Sequence, residues 1–402
     1  VYPYLISLAR PYWSGATYRA IARAFFFNRV RNGPDLAELR SFILEALGVQ
    51  YTQDTQDTRD AILCGSGSLA LEIALRTCGV AEGDEVVIPT FCCTAVLPPV
   101  LRAGAIPVLA DVGAELNITA ATVEAALTEK TKAIIVPHLF GNPADIVAIA
   151  SLARGKDIRV IDDAAQALGA TIYGRPVGGF GDAGILSFGG EKVCSGIGGG
   201  AGLSRKEGMF GDIDLRVPGC FTTLRALWHA LFWRRWRRWT FPAAALFPRS
   251  SPDSPPLPYR QETMANLSAA VALTLMRALR ENIVARRERV RAYQDVLGSE
   301  ERLELIPHRS GSACLTQVVR LLPRGRGDDP AARVIDALHS AGYEVQGSYV
   351  PIHLLSPYQN LARIPLPRAE AVWADLVELP CEPEVSFDDV RSIARIVKQA
   401  TG

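Results

Sequence analysis

Lys192 is one of six lysines in a chain of 402 residues that otherwise draws its 43 basic groups from arginine. It lies in Ser187-Phe188-Gly189-Gly190-Glu191-Lys192-Val193-Cys194-Ser195-Gly196-Ile197-Gly198-Gly199-Gly200. Unlike arginine, a lysine can lose its proton when desolvated and act as a nucleophile toward an aldehyde. A hydroxyl five residues before that amine and a glycine run after it fit a cofactor cradle. Taken alone, the same pattern also suits a surface lysine beside a flexible loop.

The second group with chemical potential is Asp163, in Val160-Ile161-Asp162-Asp163-Ala164-Ala165-Gln166. An apolar start ending in carboxylates reads as a buried parallel strand that delivers side chains to its C-terminal edge, where open α/β sheets bind ligands. A carboxylate so placed could hold a pyridine nitrogen protonated, which is what pyridoxal phosphate needs to act as an electron sink. Gln166 would then touch the ring oxygen. By itself Asp163 reads equally as a helix N-cap ahead of the alanines. The third group is Cys64-Gly65-Ser66-Gly67-Ser68-Leu69-Ala70. Small residues opening an apolar helical pattern leave backbone N–H groups free for a phosphate. The lysine of a P-loop and the glycine spacing of a dinucleotide site are both missing.

These pieces occur in the order phosphate loop, pyridine carboxylate, lysine. With Gly83-Asp84-Glu85-Val86-Val87-Ile88-Pro89-Thr90, His138-Leu139-Phe140-Gly141-Asn142-Pro143, Pro351-Ile352-His353-Leu354 and Leu379-Pro380-Cys381-Glu382-Pro383, the chain resembles the DegT/DnrJ/EryC1/StrS sugar aminotransferases. The resemblance runs from about residue 35 to the end. It implies the fold-type I architecture and pyridoxal 5'-phosphate as cofactor. Gly65, Ser66, Gly67 and Ser187 would hold the phosphate, Asp163 the pyridine nitrogen and Gln166 the ring oxygen. Lys192 would carry the cofactor and act as the base. Lys192 and Asp163 are the catalytic candidates, and no metal is expected. Some relatives are dehydratases with histidine in place of this lysine, so Lys192 favours transamination.

Three positions depart from the family pattern. Four residues after Pro89, where relatives stack an aromatic on the pyridine ring, stands Cys93, so the stacking face is a thiol unless Phe91 turns inward. The lysine loop lacks its usual glutamate. Gln261-Glu262-Thr263-Met264 replaces the Asn-Tyr-Arg-Met that reaches a neighbouring subunit, leaving Arg260 as the nearby arginine. His353 has an open role, and His138 reads as structural.

The elements that must position these groups follow from the patterning. Apolar runs at Glu85–Pro89, Ala133–Pro137 and Arg159–Asp163 alternate with alanine- and leucine-rich helical stretches. The fold class expected from this alternation is α/β, a mainly parallel sheet with helices on both faces. The resemblance implies that the sheet is of the seven-stranded type and that a smaller α+β C-terminal domain follows. The divisions read are an N-terminal arm over 1–34, a large cofactor domain over 35–215, a Trp/Arg-rich insert with a Pro/Ser linker over 216–258, and a long helix with the small domain over 259–402. Ala265–Asp295 is expected as one helix with an alanine side and an arginine side. A strand near Cys314–Leu322 and helices near Pro330–Ala341 and Phe387–Gln399 complete the chain.

Composition excludes several classes. A net charge of +1 gives no general reason to bind nucleic acid. Eight scattered cysteines lack metal-ligand spacing and read as reduced thiols. No cleavable signal or membrane-spanning run is evident. The expected location is cytoplasmic, peripheral on the inner membrane face if the insert docks there. That insert packs four of the six tryptophans and five arginines into Thr222–Trp239. Leu224, Leu227, Trp228, Leu231 and Phe232 share one face at helical spacing. Tryptophan with arginine suits a membrane interface through residues 222–247, and Tyr18–Val30, with Phe25-Phe26-Phe27, has the same character. Packing on the body or across a dimer is the alternative.

The expectation is thus an aminotransferase that moves an amino group from an amino acid such as glutamate to a keto-sugar, nucleotide-linked or lipid-linked, as a homodimer. The alternatives are a dehydratase on the same cofactor, and a membrane-associated subunit of this fold without turnover.

Overall fold

The computed structural model describes residues 12–47, 60–211, 213–231, 259–325 and 327–401. Its first part runs α1 (Gly15–Phe26), α2 (Asp35–Leu47), β1 (Asp60–Cys64), α3 (Gly67–Thr77), β2 (Glu85–Pro89), α4 (Leu97–Arg102), β3 (Ile106–Ala110), α5 (Ala120–Ala126), β4 (Thr131–Pro137), α6 (Ile146–Ala153) and β5 (Arg159–Asp163). A short hairpin of β6 (Thr171–Ile172) and β7 (Arg175–Pro176), then β8 (Ala183–Ser187), β9 (Gly200–Ser204) and α7 (Cys220–Trp228) follow.

Seven of these strands form one sheet in the order β1-β9-β8-β5-β4-β2-β3. From β8 to β3 all neighbours are parallel, and β9 runs antiparallel to both β8 and β1. The interior strands are apolar on both sides because successive side chains enter different cores. Val86, Ile88, Ala133, Ile135 and Ile161 pack in one cluster with α3 and α4. Val87, Ile134, Val136 and Val160 pack in another with α5 and α6. The fold is therefore α/β with helices on both faces of a mainly parallel sheet.

The expected single helix over Ala265–Asp295 is two, α8 (Asn266–Arg277) and α9 (Leu279–Leu297). Ala278, at φ −94° and ψ 8°, breaks them. The first is buried along nearly its whole length against α1 and α2, while the second supports a separate small sheet, so one straight axis cannot serve both. Nor is arginine confined to a solvent side. Arg286 is 1% exposed, where it donates to Asn282 Oδ1 and to the Leu315 carbonyl, both at 2.8 Å. Arg289 donates to the carbonyls of Val385 and Pro383. Charged donors on otherwise unpaired loop carbonyls hold these connections in place.

The small sheet has the order β10-β11-β13-β12 and is antiparallel throughout. Its strands are β10 (Leu303–Leu305), β11 (Thr316–Leu321), β12 (Gln346–Gly347) and β13 (Leu376–Pro380), with helices α10 (Pro330–Ser340), α11 (Pro367–Val372) and α12 (Phe387–Thr401). Val319, Leu321, Val334, Ile393 and Val397 form its core with Tyr293 of α9.

The face proposed for the insert divides. Leu224, Leu227 and Leu231 pack on the core shared with α1 and α8, but Trp228 is 60% exposed. A ring next to a buried leucine on a helix is rotated about a quarter turn away from it. Phe232 and the remainder of the insert through residue 258 lie outside the described residues.

Candidate active site

The parallel strands deliver their C-terminal ends to one cleft of about 190 Å³. Asp163 ends β5, Pro137 ends β4 and Ser187 ends β8, while the N-terminus of α3 closes one side. Ser66, Gly67, Cys93, Asp163, Gln166, Ser187 and Lys192 all line this cleft. Gly65 does not: its N–H is donated to the Glu262 carbonyl at 2.8 Å.

Asp162 and Asp163 are adjacent on a strand, so their side chains leave on opposite faces. His138 Nδ1 accepts from the Ala144 N–H at 2.8 Å. Its Nε2 must then carry the hydrogen, which it gives to Asp162 Oδ1 at 2.8 Å. The other oxygen of Asp162 accepts from the Phe180 N–H at 2.8 Å. Asp162 and His138 are both wholly buried, and this pair ties strand ends together. Asp163 faces the cleft and accepts from the Ala165 N–H at 2.9 Å. Burial pushes its carboxyl above the ordinary carboxylate range, against the pull of the Ala165 N–H and the Lys192 charge. A cation brought against it would lower it again.

Lys192 sits on a loop closed at its base by Phe188 N–H to the Gly199 carbonyl, 2.9 Å. Trp13 Nε1 holds the Ser195 carbonyl at 2.9 Å and Asn282 Nδ2 the Val193 carbonyl at 3.1 Å. Val193 and Cys194 are buried, which turns the loop so that Lys192 faces the cleft. The glycine run has a different task from cradling a ligand. Gly198 and Gly199 have φ of 118° and 110°, and a side chain on Gly200 would meet the Gly67 nitrogen at 2.7 Å. The run lets β9 start directly against the phosphate loop.

Ser66 caps α3 by accepting from the Leu69 N–H at 3.1 Å. A Cβ on Gly67 would stand 3.0 Å from Ser187 Cβ and 3.1 Å from its Oγ. Backbone N–H groups of a helix N-terminus, two hydroxyls and a space that a methyl would fill together suit a phosphate. An acid placed for a pyridine nitrogen and an amine in the same cleft complete the fit to pyridoxal phosphate. Gly67→Ala is expected to fold normally and weaken cofactor affinity at least about tenfold, measured by equilibrium dialysis of pyridoxal phosphate.

Phe91 does not turn inward. It is fully buried among Phe140 and Tyr349, 6.3 and 5.9 Å between ring centres, and Cys93 is the residue that faces the cleft. Arg260 is exposed beside Thr222 and Glu262. His353 bridges Thr90 Oγ1 at 2.7 Å and Glu370 Oε1 at 3.2 Å, fastening the α11 region to the end of β2.

Two residues outside the lining of the cleft but acting on residues that line it escaped the sequence reading. Tyr349 Oη lies 3.0 Å from Gln166 Nε2, and Gln166 Oε1 accepts from the Phe140 N–H at 3.1 Å. Both ends of the amide are thus held, which leaves one Nε2 hydrogen for the cleft. Glu378 of β13 is 8% exposed and accepts from Ser348 Oγ at 3.0 Å. Burial, with Glu191 adding to it, pushes this carboxyl up to about 7 against the pull of Ser348, Gln346 and Lys192. Neither residue stands in a motif, and only the packing of the small sheet brings them near.

Glu378 carries a pH signature. Its folded-state value of about 7 exceeds the ordinary 4.5, so the folded state holds an extra proton between those pH values. Stability therefore falls as pH rises across that window and levels off above it. His308, lowered by burial to about 4, has the opposite slope between about 4 and 6.5, so the wild-type profile alone mixes the two. The difference between wild type and Glu378→Gln isolates the carboxylate. The variant is expected to be more stable at pH 8 by up to about 3 kcal/mol, with the gain vanishing at pH 4, measured by urea unfolding.

A profile of the DegT/DnrJ/EryC1/StrS aminotransferase family matches residues 50–398. The GDP-perosamine synthase of Caulobacter vibrioides is 30% identical over 344 residues, 85% of each chain. The dTDP-4-dehydro-2,3,6-trideoxy-D-glucose 4-aminotransferase of Saccharopolyspora spinosa is 27% identical over 400 residues, 97% of this chain and 95% of its own. Among solved structures, the aminotransferase TlmJ of Streptoalloteichus hindustanus superposes with a TM-score of 0.74 at 25% identity, covering 98% of both chains.

Proposed function

We propose, from the premise that this chain belongs to the DegT/DnrJ/EryC1/StrS aminotransferase family, that it aminates a nucleotide-linked keto-sugar with glutamate as donor. The protein is a PLP-dependent sugar aminotransferase. The observation that carries the reading of the site is the convergence of Lys192, Asp163, Gln166 and Ser187 on one cleft at the sheet's C-terminal edge.

When bound there, pyridoxal phosphate supplies an aldehyde to take up an amine and a ring to accept electrons. The α3 N-terminus, Ser66 and Ser187 anchor the phosphate. Asp163 would face the pyridine nitrogen and, as a carboxylate there, hold it protonated. Gln166, braced by Tyr349 and Phe140, donates to the ring oxygen. Lys192 Nζ would be the amine that holds the bound cofactor, and, when free, the base that takes the proton from the donor's α-carbon. In the second half-reaction it would supply the proton to the sugar carbon.

Support for a nucleotide-linked acceptor comes from the GDP- and dTDP-sugar activities named for the two relatives. The same reading has the protein working as a homodimer and at a membrane surface, where a lipid-linked keto-sugar is the alternative acceptor. The test supplies glutamate and a panel of nucleotide-linked and lipid-linked keto-sugars, and follows 2-oxoglutarate and aminated product together. Equal amounts of both support the reading. Sugar product without consumption of the donor would indicate an elimination and sink it.

A further inference from the structure

The near-neutral net charge conceals a strong segregation. Residues 1–34 contain five arginines and no acid, and residues 215–252 contain seven arginines and no acid. These two stretches hold a charge of +12, so with a total of +1 the rest of the chain carries −11.

The described parts of the two stretches, 12–34 and 215–231, meet in the fold. Arg31 Nε donates to the Pro218 carbonyl at 2.9 Å, which sets the chain just after α1 beside the chain just before α7. Both helices bury their small and aliphatic residues in a common core, Ile21 and Ala24 from α1 and Leu227 from α7. Their other sides carry large rings into solvent. Phe26 is 82% exposed, Phe27 55%, Phe221 78% and Trp228 60%. Arg29 lies over the Phe27 ring, 5.2 Å from its centre, and Arg225 stands between Phe221 and Trp228 in α7. Neither helix contains an acid.

We infer that α1 and α7 form one platform that binds the headgroup layer of an anionic phospholipid membrane. This rests on the reading that the enzyme works at a membrane and adds which surface meets it and which lipid class it selects. Exposed rings beside arginines, with no acid among them, match an interface where aromatics sit at headgroup depth and guanidiniums pair with phosphates. A second copy of the chain fits less well. A two-fold interface sets a surface against itself. Asp35, the acid that pairs with Arg23 of α1, is buried, so this would oppose arginine-rich stretches that contain no carboxylate of their own. The acidic remainder of the protein is repelled by the same lipids, which fixes the orientation.

The experiment is co-sedimentation of the full-length, cofactor-loaded protein with vesicles of phosphatidylcholine alone or mixed with phosphatidylglycerol. Strong binding is expected only to the mixed vesicles, weakening as salt is raised. Each arginine removed, Arg29→Ser or Arg225→Ser, should lower partitioning about fivefold, the equivalent of about 1 kcal/mol. The double variant Phe26→Glu/Trp228→Glu, at exposed positions, should lose binding more than tenfold and keep its transaminase activity in solution. Wild type failing on both vesicles would overturn the membrane reading itself. Equal binding to both vesicles, or binding that these variants leave unchanged, would overturn only the platform. Light scattering that shows the double variant shifting from dimer to monomer would also overturn it, by making this face a subunit interface.

Discussion

Lys192→Ala is expected to yield a folded protein that no longer shows visible absorbance when pyridoxal phosphate is added, and that loses transamination by a factor of about 10⁴ or more. On the roles proposed for Lys192, two functions would be lost together: the amine that holds the aldehyde and the base that moves the proton, which by itself contributes about 10²–10⁴. The fold should tolerate the change, because the loop is held by contacts to its neighbours. Trp13 grips the Ser195 carbonyl, Asn282 grips the Val193 carbonyl, and Phe188 pairs with Gly199. None uses the Lys192 side chain. The measurements are an absorbance spectrum with and without added cofactor, and single-turnover rates. A visible band unchanged in the variant would place the covalent link on another residue.

The second large effect separates two neighbouring carboxylates. Asp163→Asn is expected to leave thermal stability nearly unchanged, or slightly raised, because it removes a carboxyl whose burial already opposes ionisation. Turnover should fall about 10²–10³-fold, the scale of losing one preorganised electrostatic contact to developing charge. Asp162→Asn should do the reverse. That side chain is wholly buried between His138 Nε2 and the Phe180 N–H, and losing its charge weakens both contacts. A loss of about 2 kcal/mol in stability is expected, the scale of hydrogen bonds to a buried charged group, with turnover per folded molecule changing much less. Unfolding curves and turnover rates on the two variants test the pair. Swapped phenotypes would mean that strand β5 is set one residue out of register, since a slip of one exchanges the two faces.

How legible each feature was depended on the range of the interaction behind it. β5 and its two aspartates could be read because an apolar run with polar residues at its end is a local pattern. Helix α10, with Pro330 at its start and Gly342 beyond its end, is likewise written in adjacent residues. Ala278 gives no such signal, and alanine is the best helix former. The break there arises because α8 is packed by α1 and α2 while α9 belongs with the small sheet. The exposure of Trp228 beside the packed Leu224 and Leu227 has the same kind of origin, since which arc of α7 meets the core depends on the elements packed against it. Gly65 looked like part of the phosphate loop until the Glu262 carbonyl, far away in sequence, claimed its N–H.

By itself the amino-acid sequence determined the chemistry on offer: an amine, an acid, small residues before a helix, and the βα alternation that brings strand ends to one edge. These are consequences of residue type and short-range periodicity, which need no knowledge of distant contacts. Tertiary structure alone decided that Asp162 is sealed against His138 and the Phe180 N–H, and that Phe91 is buried while Cys93 lines the cleft. It also set Tyr349 against Gln166, and the chain after α1 beside the chain before α7 through Arg31 and the Pro218 carbonyl. Each of those outcomes depends on which buried surface outcompetes another across long separations in the chain. That competition is settled by packing, and no local pattern records its result.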